Sequence, residues 1–375
     1  MPEDILFLST NRFDPYLPLR KFWFSKFMSE NGFRVVYVEF PHTFLAYLKR
    51  GLHPETEAKL SRISDNYFVL RSFPILPFFK RNRLCNWIDS RLFYRHIKGA
   101  LKGLDFKPSL IWSYVPFFPD ALEAFHTKTL YDCVDDYVSL PGLIDPNYVL
   151  ELERNTVNLV DKVIVTDTPY LEDRMRLFGK EPVVISNGVN YEVFSRWLSM
   201  ADTLQIRKRI IYVGNVSHWF DLELFEKIAD ALEGFEIMIV GFASVDVSSF
   251  KKHPNINFVG KLMQEEFAQL LSESSVAIIP FIENELTKAT DPLKVYEYLA
   301  AGVPVVSTRI GNVSRLPVYV TSRDNFVERI REAVKEDTIE KRRSQTLFAK
   351  QFSWETKYKM VEKILENLKA QNHPS

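Results

Sequence analysis

The chain has 375 residues, 46% hydrophobic and 26% charged, with 48 bases balancing 48 acids. At roughly 150 residues per domain this length predicts two domains, and the zero net charge argues against a dedicated nucleic-acid binder. Two cysteines, Cys85 and Cys133, make neither a disulfide scaffold nor a four-ligand zinc site. The opening MPEDILFLST carries acids where a signal peptide carries bases, and no stretch reaches about 18 uncharged apolar residues. The expectation is a soluble, reducing-compartment protein. Glycines number 13 against 30 Phe, so a glycine-rich phosphate loop is not its main device. Charge is uneven along the chain: residues 1–107 hold 18 bases and 10 acids, residues 108–200 hold 7 and 14.

Short apolar runs alternate with helical patterns. Ile5–Leu8 is followed by a helical stretch from Pro18 to Glu30, then by Val35–Val38. Further runs lie at Tyr67–Leu70, Leu110–Trp112, Thr129–Tyr131, Val163–Val165 and Val183–Ile185. Each is continuous rather than alternating, as expected of strands covered on both faces. The rhythm restarts after Arg207-Lys208-Arg209. Strands are predicted at Ile210–Val213, Phe235–Val240, Ile256–Val259, Val276–Ile279 and Val305–Val306. Helices are predicted at Asp221–Leu232, Gln264–Ser272 and Pro292–Ala301, with a charged helical tail from about Asp324. The pattern is α/β, two doubly wound Rossmann-like domains facing across a cleft: residues 1–195 and 205–350, joined by a polar linker at 195–208. A helix at about 352–370 is expected to pack back on the first domain. In such sheets ligands bind outside the carboxyl ends of the strands.

The segment NELTKATDPLKVYEYLAAG, Asn284 to Gly302, is the most informative. Asp291 suits an N-cap and Pro292 the first helical position. Lys294 and Glu297 are three apart and share a helix face. The helix start offers free N–H groups and the positive end of the helix dipole, and Lys294 adds a full charge for an anion. A carboxylate one turn deeper can accept two hydrogen bonds from a diol. Read in isolation, the pair is also the spacing of a weak, exposed ion pair.

This segment resembles the donor-site helix of GT-B glycosyltransferases, and among them the family-4-like bacterial enzymes of cell-surface polysaccharide synthesis, the teichuronic-acid type. LYDCVDDY, VIVTDTPYLEDRM, ISNGVNYEVF, IIYVGNVSHWFDLELFEKIAD, NINFVGKL and FSWE fit the same resemblance, in the family's order. It implies the GT-B fold, glycosyl transfer, a nucleotide-diphosphate-sugar donor such as a UDP- or GDP-sugar, and no metal or other cofactor. On it, Lys294 contacts the diphosphate and Glu297 the ribose, with Thr290, Pro292 and Leu293 at the helix start. The sequence departs from the family twice. Ala289 stands where many members carry a first Glu. The loop Gly214-Asn215-Val216-Ser217-His218-Trp219 lacks the usual Arg and Lys, so Gly214, Asn215 and His218 are left to help Lys294 hold the phosphates.

Asp132, Asp135 and Asp136 follow the strand Thr129–Tyr131. Crowded carboxylates raise one another's pKa, and glycosyl transfer with inversion needs a base for the attacking hydroxyl. Asp135 and Asp136 are the candidates. Asp132 reads as a cap or as the partner of a buried base. The loop Ser9–Asp14 sits at another carboxyl end, and Arg20 begins the next helix. Gly188, in the ISNGV turn, reads as a positive-φ position.

Residues 80–102 hold seven bases and one acid, Asp89, interleaved with Trp87, Leu92, Phe93 and Ile97. With Phe78 and Phe79 before them, they form a basic amphipathic helix suited to an anionic membrane surface. The alternative places Trp87, Leu92 and Ile97 in the core. The reading is a peripheral enzyme on the cytoplasmic face of the cell membrane, with a lipid-linked or polysaccharide acceptor and no nucleic acid. A same-fold nucleotide-sugar epimerase and a catalytically silent subunit remain the alternatives.

Overall fold

The computed structural model describes residues 3–16, 18–45, 59–198 and 206–370. The chain divides into two compact units. The first holds residues 1–166, 171–185 and 364–375, the second 167–170 and 186–363. Part of the expected linker, residues 199–205, lies outside the described residues.

Among the described residues the first unit carries eight strands: β1 Asp4–Leu8, β2 Arg34–Val38, β3 Leu60–Arg62, β4 Tyr67–Leu70, β5 Pro108–Ser113, β6 Lys128–Cys133, β7 Lys162–Val165 and β8 Val183–Val184. Their order is β3-β4-β2-β1-β5-β6-β7-β8. All neighbours run parallel except β3 and β4. The chain winds outward from β1 to β4, then returns to lay β5 on the other side of β1. That reversal makes the carboxyl ends of β1 and β5 the switch point of this sheet. The phenylalanines fill the unit: Phe7 stacks on Trp112 at 5.2 Å, and Phe40 lies 5.7 Å from both Phe117 and Phe118.

Among the described residues the second unit has six parallel strands: β9 Arg207–Val213, β10 Glu236–Val240, β11 Ile256–Gly260, β12 Ser274–Ile279, β13 Val305–Ser307 and β14 Tyr319–Val320. Their order is β11-β10-β9-β12-β13-β14, which puts the reversal between β9 and β12. Every residue of β12 is buried, as its apolar run requires.

Three expectations are corrected. The charged tail is three helices, Phe326–Lys335, Ile339–Ala349 and Trp354–Ala370. A new N-cap, Thr338, accepts from the Lys341 N–H and starts the second of them. Gly188 has no positive φ. It is glycine because a Cβ there would meet the Trp354 ring at 2.8 Å. The basic helix runs Arg83–Gly103, capped by the Asn82 side chain. Phe93, Ile97 and Leu101 form its core face, but Trp87 is 43% and Leu92 40% exposed. Of the three apolar residues that could have faced inward, only Ile97 does.

The end of the Trp354–Ala370 helix belongs to the first unit. Leu365 and Leu368 are buried there, lining a small cavity with Ile5 and Phe33. Lys128 donates to the Leu368 carbonyl, and Lys369 pairs with Glu3 at 2.8 Å.

Candidate functional site

The best-built site lies in the second unit, on the Leu293–Ala300 helix. Val295, Tyr296, Tyr298 and Leu299 anchor that helix in the core. Its N-cap is Pro292, one residue later than the sequence implies, and no side chain caps its first turn. Asp291 is not the cap. It is buried and accepts from the Asn187 N–H at 2.6 Å, the Tyr296 hydroxyl at 2.7 Å and Asn312 Nδ2 at 3.0 Å. Leu293 and Pro292 therefore open a helix whose leading N–H groups have no side-chain acceptor, the electropositive end of the dipole.

Lys294 extends from this first turn to the switch point. Its ammonium lies 4.6 Å from the ring centres of both Tyr212, in β9, and Phe281, just past β12. It donates to the Tyr212 hydroxyl at 3.2 Å, and that hydroxyl donates to the Asn215 carbonyl at 2.8 Å. Burial between the rings lowers the Lys294 pKa to about 7, and Glu297 pulls the other way. Glu297 is 7% exposed. Burial raises its pKa to about 8, opposed by Lys294 and by a 3.4 Å hydrogen bond from Gln264 Nε2. Among the described residues the two make no ion pair with each other, so the exposed-pair reading does not hold. They are two enclosed ionisable groups, each held away from its charged state by burial.

Gly214 adjoins Lys294. Its φ is +136°, and an added Cβ would meet Lys294 Nζ at 2.9 Å. Asn215 donates to Ser244 Oγ at 3.0 Å, while its own Oδ1 is buried without a hydrogen-bond partner among the described residues. Such an acceptor ordinarily finds a donor. Thr290 spends its hydroxyl on the Leu286 carbonyl at 3.0 Å, and Ala289 is fully buried. His218 is exposed, edge-on to Trp219 at 4.8 Å. It lines a neighbouring cavity of about 620 Å³ with Ser217, Asp221, Glu283, Thr308 and Arg323, which Phe281 also walls. The structure thus gathers Gly214, Asn215, Lys294 and Glu297, and places His218 on the neighbouring cavity, linked to Asn215 through Ser244 and Ser217. Tyr212, Phe281 and Gln264 escaped sequence reasoning. All three lie at or near the carboxyl ends of strands, which is the signal that could have found them.

In the first unit the acidic run separates into three fates. Asp132 is fully buried and takes Arg20 in a two-pronged pair, Nε to Oδ2 at 2.9 Å and Nη2 to Oδ1 at 3.1 Å. Arg20 also donates to the Ile185 carbonyl at 2.7 Å, so it is an internal brace and not a surface base. Asp136 is buried too, paired with Arg174 at 2.6 Å and accepting from the Val138 N–H and Ser139 hydroxyl. These bonds occupy it, which argues against its expected role as a base. Asp135 is exposed. Desolvation by the surrounding protein raises its pKa, the Lys21 ammonium works against that rise and the Asp136 carboxylate adds to it. Lys21 is 4% exposed, held by the Thr10 and Asn11 side chains at the end of β1. Burial lowers its pKa to about 8. Sequence reasoning did not single it out. Among the described residues no group of three or more His, Cys, Asp or Glu could hold a metal ion. No helix among them is long and apolar enough to cross a membrane.

Comparison with known proteins bears on the fold and on the second unit. Residues 207–336 match the family described as Glycosyl transferases group 1. A curated protein of Bacillus subtilis (strain 168), named for teichuronic acid biosynthesis as the glycosyltransferase TuaH, is 23% identical over 290 residues, 70% of this chain and 72% of that one. Sucrose-phosphate synthase from Thermosynechococcus elongatus superposes with a TM-score of 0.71 at 15% identity, over 98% of this chain and 100% of its own. Anabaena HepE in complex with UDP-glucose gives 0.62 at 13% identity, over 97% and 99%. Two largely parallel sheets with switch points between β1 and β5 and between β9 and β12 give this chain the GT-B fold, and residues 207–336, over the second sheet, match the glycosyl transferases group 1 family.

Proposed function

We propose that the chain transfers a sugar from a nucleotide-diphosphate-sugar to a lipid-linked or polysaccharide acceptor in cell-envelope glycan synthesis, at the cytoplasmic face of the membrane and without a metal. The observation that carries the donor assignment is Lys294. It is a half-buried ammonium without an acidic partner within ion-pair distance among the described residues, beside an uncapped helix start and the unsatisfied Asn215 Oδ1. A diphosphate supplies the missing negative charge, and a sugar or ribose hydroxyl supplies the missing donor. Glu297, one turn along, is the group for the ribose diol. The structure of HepE, which shares the fold, is a complex with UDP-glucose, and that supports a uridine donor here.

In the transfer, the acceptor oxygen bonds to the anomeric carbon. The bond from that carbon to the phosphate oxygen breaks, and the nucleoside diphosphate leaves with the electron pair. Lys294 and the helix start stabilise the charge that gathers on the leaving group. Asp135 is the base that takes the acceptor's proton if configuration inverts. The name of the B. subtilis relative supports the envelope pathway. The exposed bases and apolar residues of the Arg83–Gly103 helix support membrane attachment.

Calorimetry with UDP and GDP, followed by incubation with radiolabelled nucleotide-sugars and membrane extract, tests the reading. Binding of neither diphosphate, and no labelled product, would overturn it.

A further inference from the structure

A second cavity, of about 420 Å³, opens in the first unit. It is built from the segments that follow β2, β4 and β6, so it sits at the carboxyl edge of that sheet. Its volume falls within the range of small-molecule sites, about 300–1,000 Å³. Phe40, Pro41, Pro77, Phe79 and Ile144 make its wall, and the polar exception of most consequence is Lys80. The Lys80 ammonium lies 4.1 Å from the Phe117 ring centre and 5.5 Å from that of Phe79. Among the described residues it has no carboxylate within ion-pair distance, and burial alone lowers its pKa, to about 8. Around these walls the large apolar residues face water: Phe44, Phe78 and Leu143 are all exposed. Every other base of the 80–102 stretch is also exposed, so Lys80 alone of them turns inward.

A desolvated cation without an acid is completed by an anion, and apolar walls with an apolar rim are completed by hydrocarbon. Inorganic phosphate satisfies the first feature and not the second, a neutral alkyl chain the second and not the first. We infer that this cavity binds a single amphiphilic molecule carrying a phosphate on an apolar chain, with the phosphate on the Lys80 ammonium and the chain along the Phe40 and Phe79 wall. This rests on the glycosyltransferase reading and gives its acceptor a chemical class, a lipid phosphate or diphosphate.

Dodecyl phosphate below its micelle concentration is the probe, followed by calorimetry on the full chain. Saturable one-to-one binding is expected. Lys80→Met should weaken it at least about tenfold, the scale of one charge-assisted hydrogen bond. Lys80→Arg should keep most of it, and Leu143→Asp, at an exposed rim position, should weaken it without touching the cation. Inorganic phosphate and decyl maltoside should each bind far more weakly. The inference is overturned if dodecyl phosphate does not saturate, if a folded Lys80→Met binds equally, if either half-probe binds as well, or if attachment appears only on anionic vesicles. UDP titration run alongside separates the two readings. Lost lipid binding with intact UDP binding removes this site alone, and failure of UDP binding removes the donor assignment.

Discussion

Two pairs of oppositely charged residues, one fully buried and one with its lysine half-buried, behave in opposite ways. Arg20 and Asp132, in the first unit, meet through two hydrogen bonds, and the third arm of the guanidinium finds a carbonyl. Lys294 and Glu297, in the second, are both enclosed and make no ion pair with each other among the described residues. Burying a charge is costly unless geometry returns the cost, and breaking a matched pair leaves one charge stranded. A matched pair therefore belongs to the fold. An unmatched pair keeps its desolvation cost outstanding until something else arrives, and that is the signature of a binding site.

The acidic run breaks this comparison most sharply, because it holds both kinds of residue within two positions. Asp135→Asn is expected to lower kcat by roughly 10²–10⁴, the usual scale for a general base, with unfolding and UDP affinity unchanged. Asp136→Asn should instead show its main loss in denaturant unfolding, since it weakens the bond to Arg174. If the two variants exchange these behaviours, the assignment of Asp135 as base fails.

Asp132→Ala strands the Arg20 guanidinium and should cost about 3–5 kcal/mol in urea unfolding. A loss under 1 kcal/mol would mean that water reaches Arg20 and the pair is not a brace.

Lys294→Ala should weaken UDP binding by about 1.5–3 kcal/mol and leave unfolding free energy unchanged or raised, because it removes an unmatched, half-buried charge. The ammonium form binds the anion, and in the free protein its pKa lies at about 7. Bound diphosphate raises that pKa. Between the free and bound values the proton must be taken up on binding, so affinity falls with rising pH, by up to about tenfold per unit. Calorimetry from pH 7 to 8 checks this, and the slope should vanish in Lys294→Ala.

The smallest effect per residue concerns the basic helix. Each exposed base near an anionic surface contributes about 1 kcal/mol, screened beyond roughly 8–10 Å. Replacing Arg81, Arg83, Arg91 and Arg95 with Glu should abolish co-sedimentation with anionic vesicles at low salt. Equal recovery in the supernatant with anionic and neutral vesicles would remove the membrane partner.

Much of this was legible before any coordinates. Continuous apolar runs mark strands covered on both faces, and the strands from Ile5–Leu8 to Val305–Val306 lie where those runs place them. β3 was not legible: Leu-Ser-Arg at an antiparallel edge has neither length nor an apolar run to reveal it. Lys294 and Glu297 were readable as a pair because helical spacing is local. Their enclosure was not, since it comes from Tyr212, Phe281 and Gln264, distant in sequence. For the same reason nothing in DCVDDY told Asp135 from Asp136. The difference is Arg174, 38 residues on. Asp291 looked like a cap because caps are local, yet three longer-range donors claim it.

The order in which the chain is synthesised gives the last helix a further meaning. Residues 364–370 leave the ribosome after the whole of the second unit, yet Leu365 and Leu368 help line the cavity beside Ile5, in β1. The first unit therefore cannot finish folding when residues 1–185 have emerged. It must wait, with that cavity open beside β1 and β5, until the second unit has been translated. A fragment cut at residue 195 would keep every strand of its sheet and still lack its closing piece, so the two units are separable as folds but not as independent products of translation.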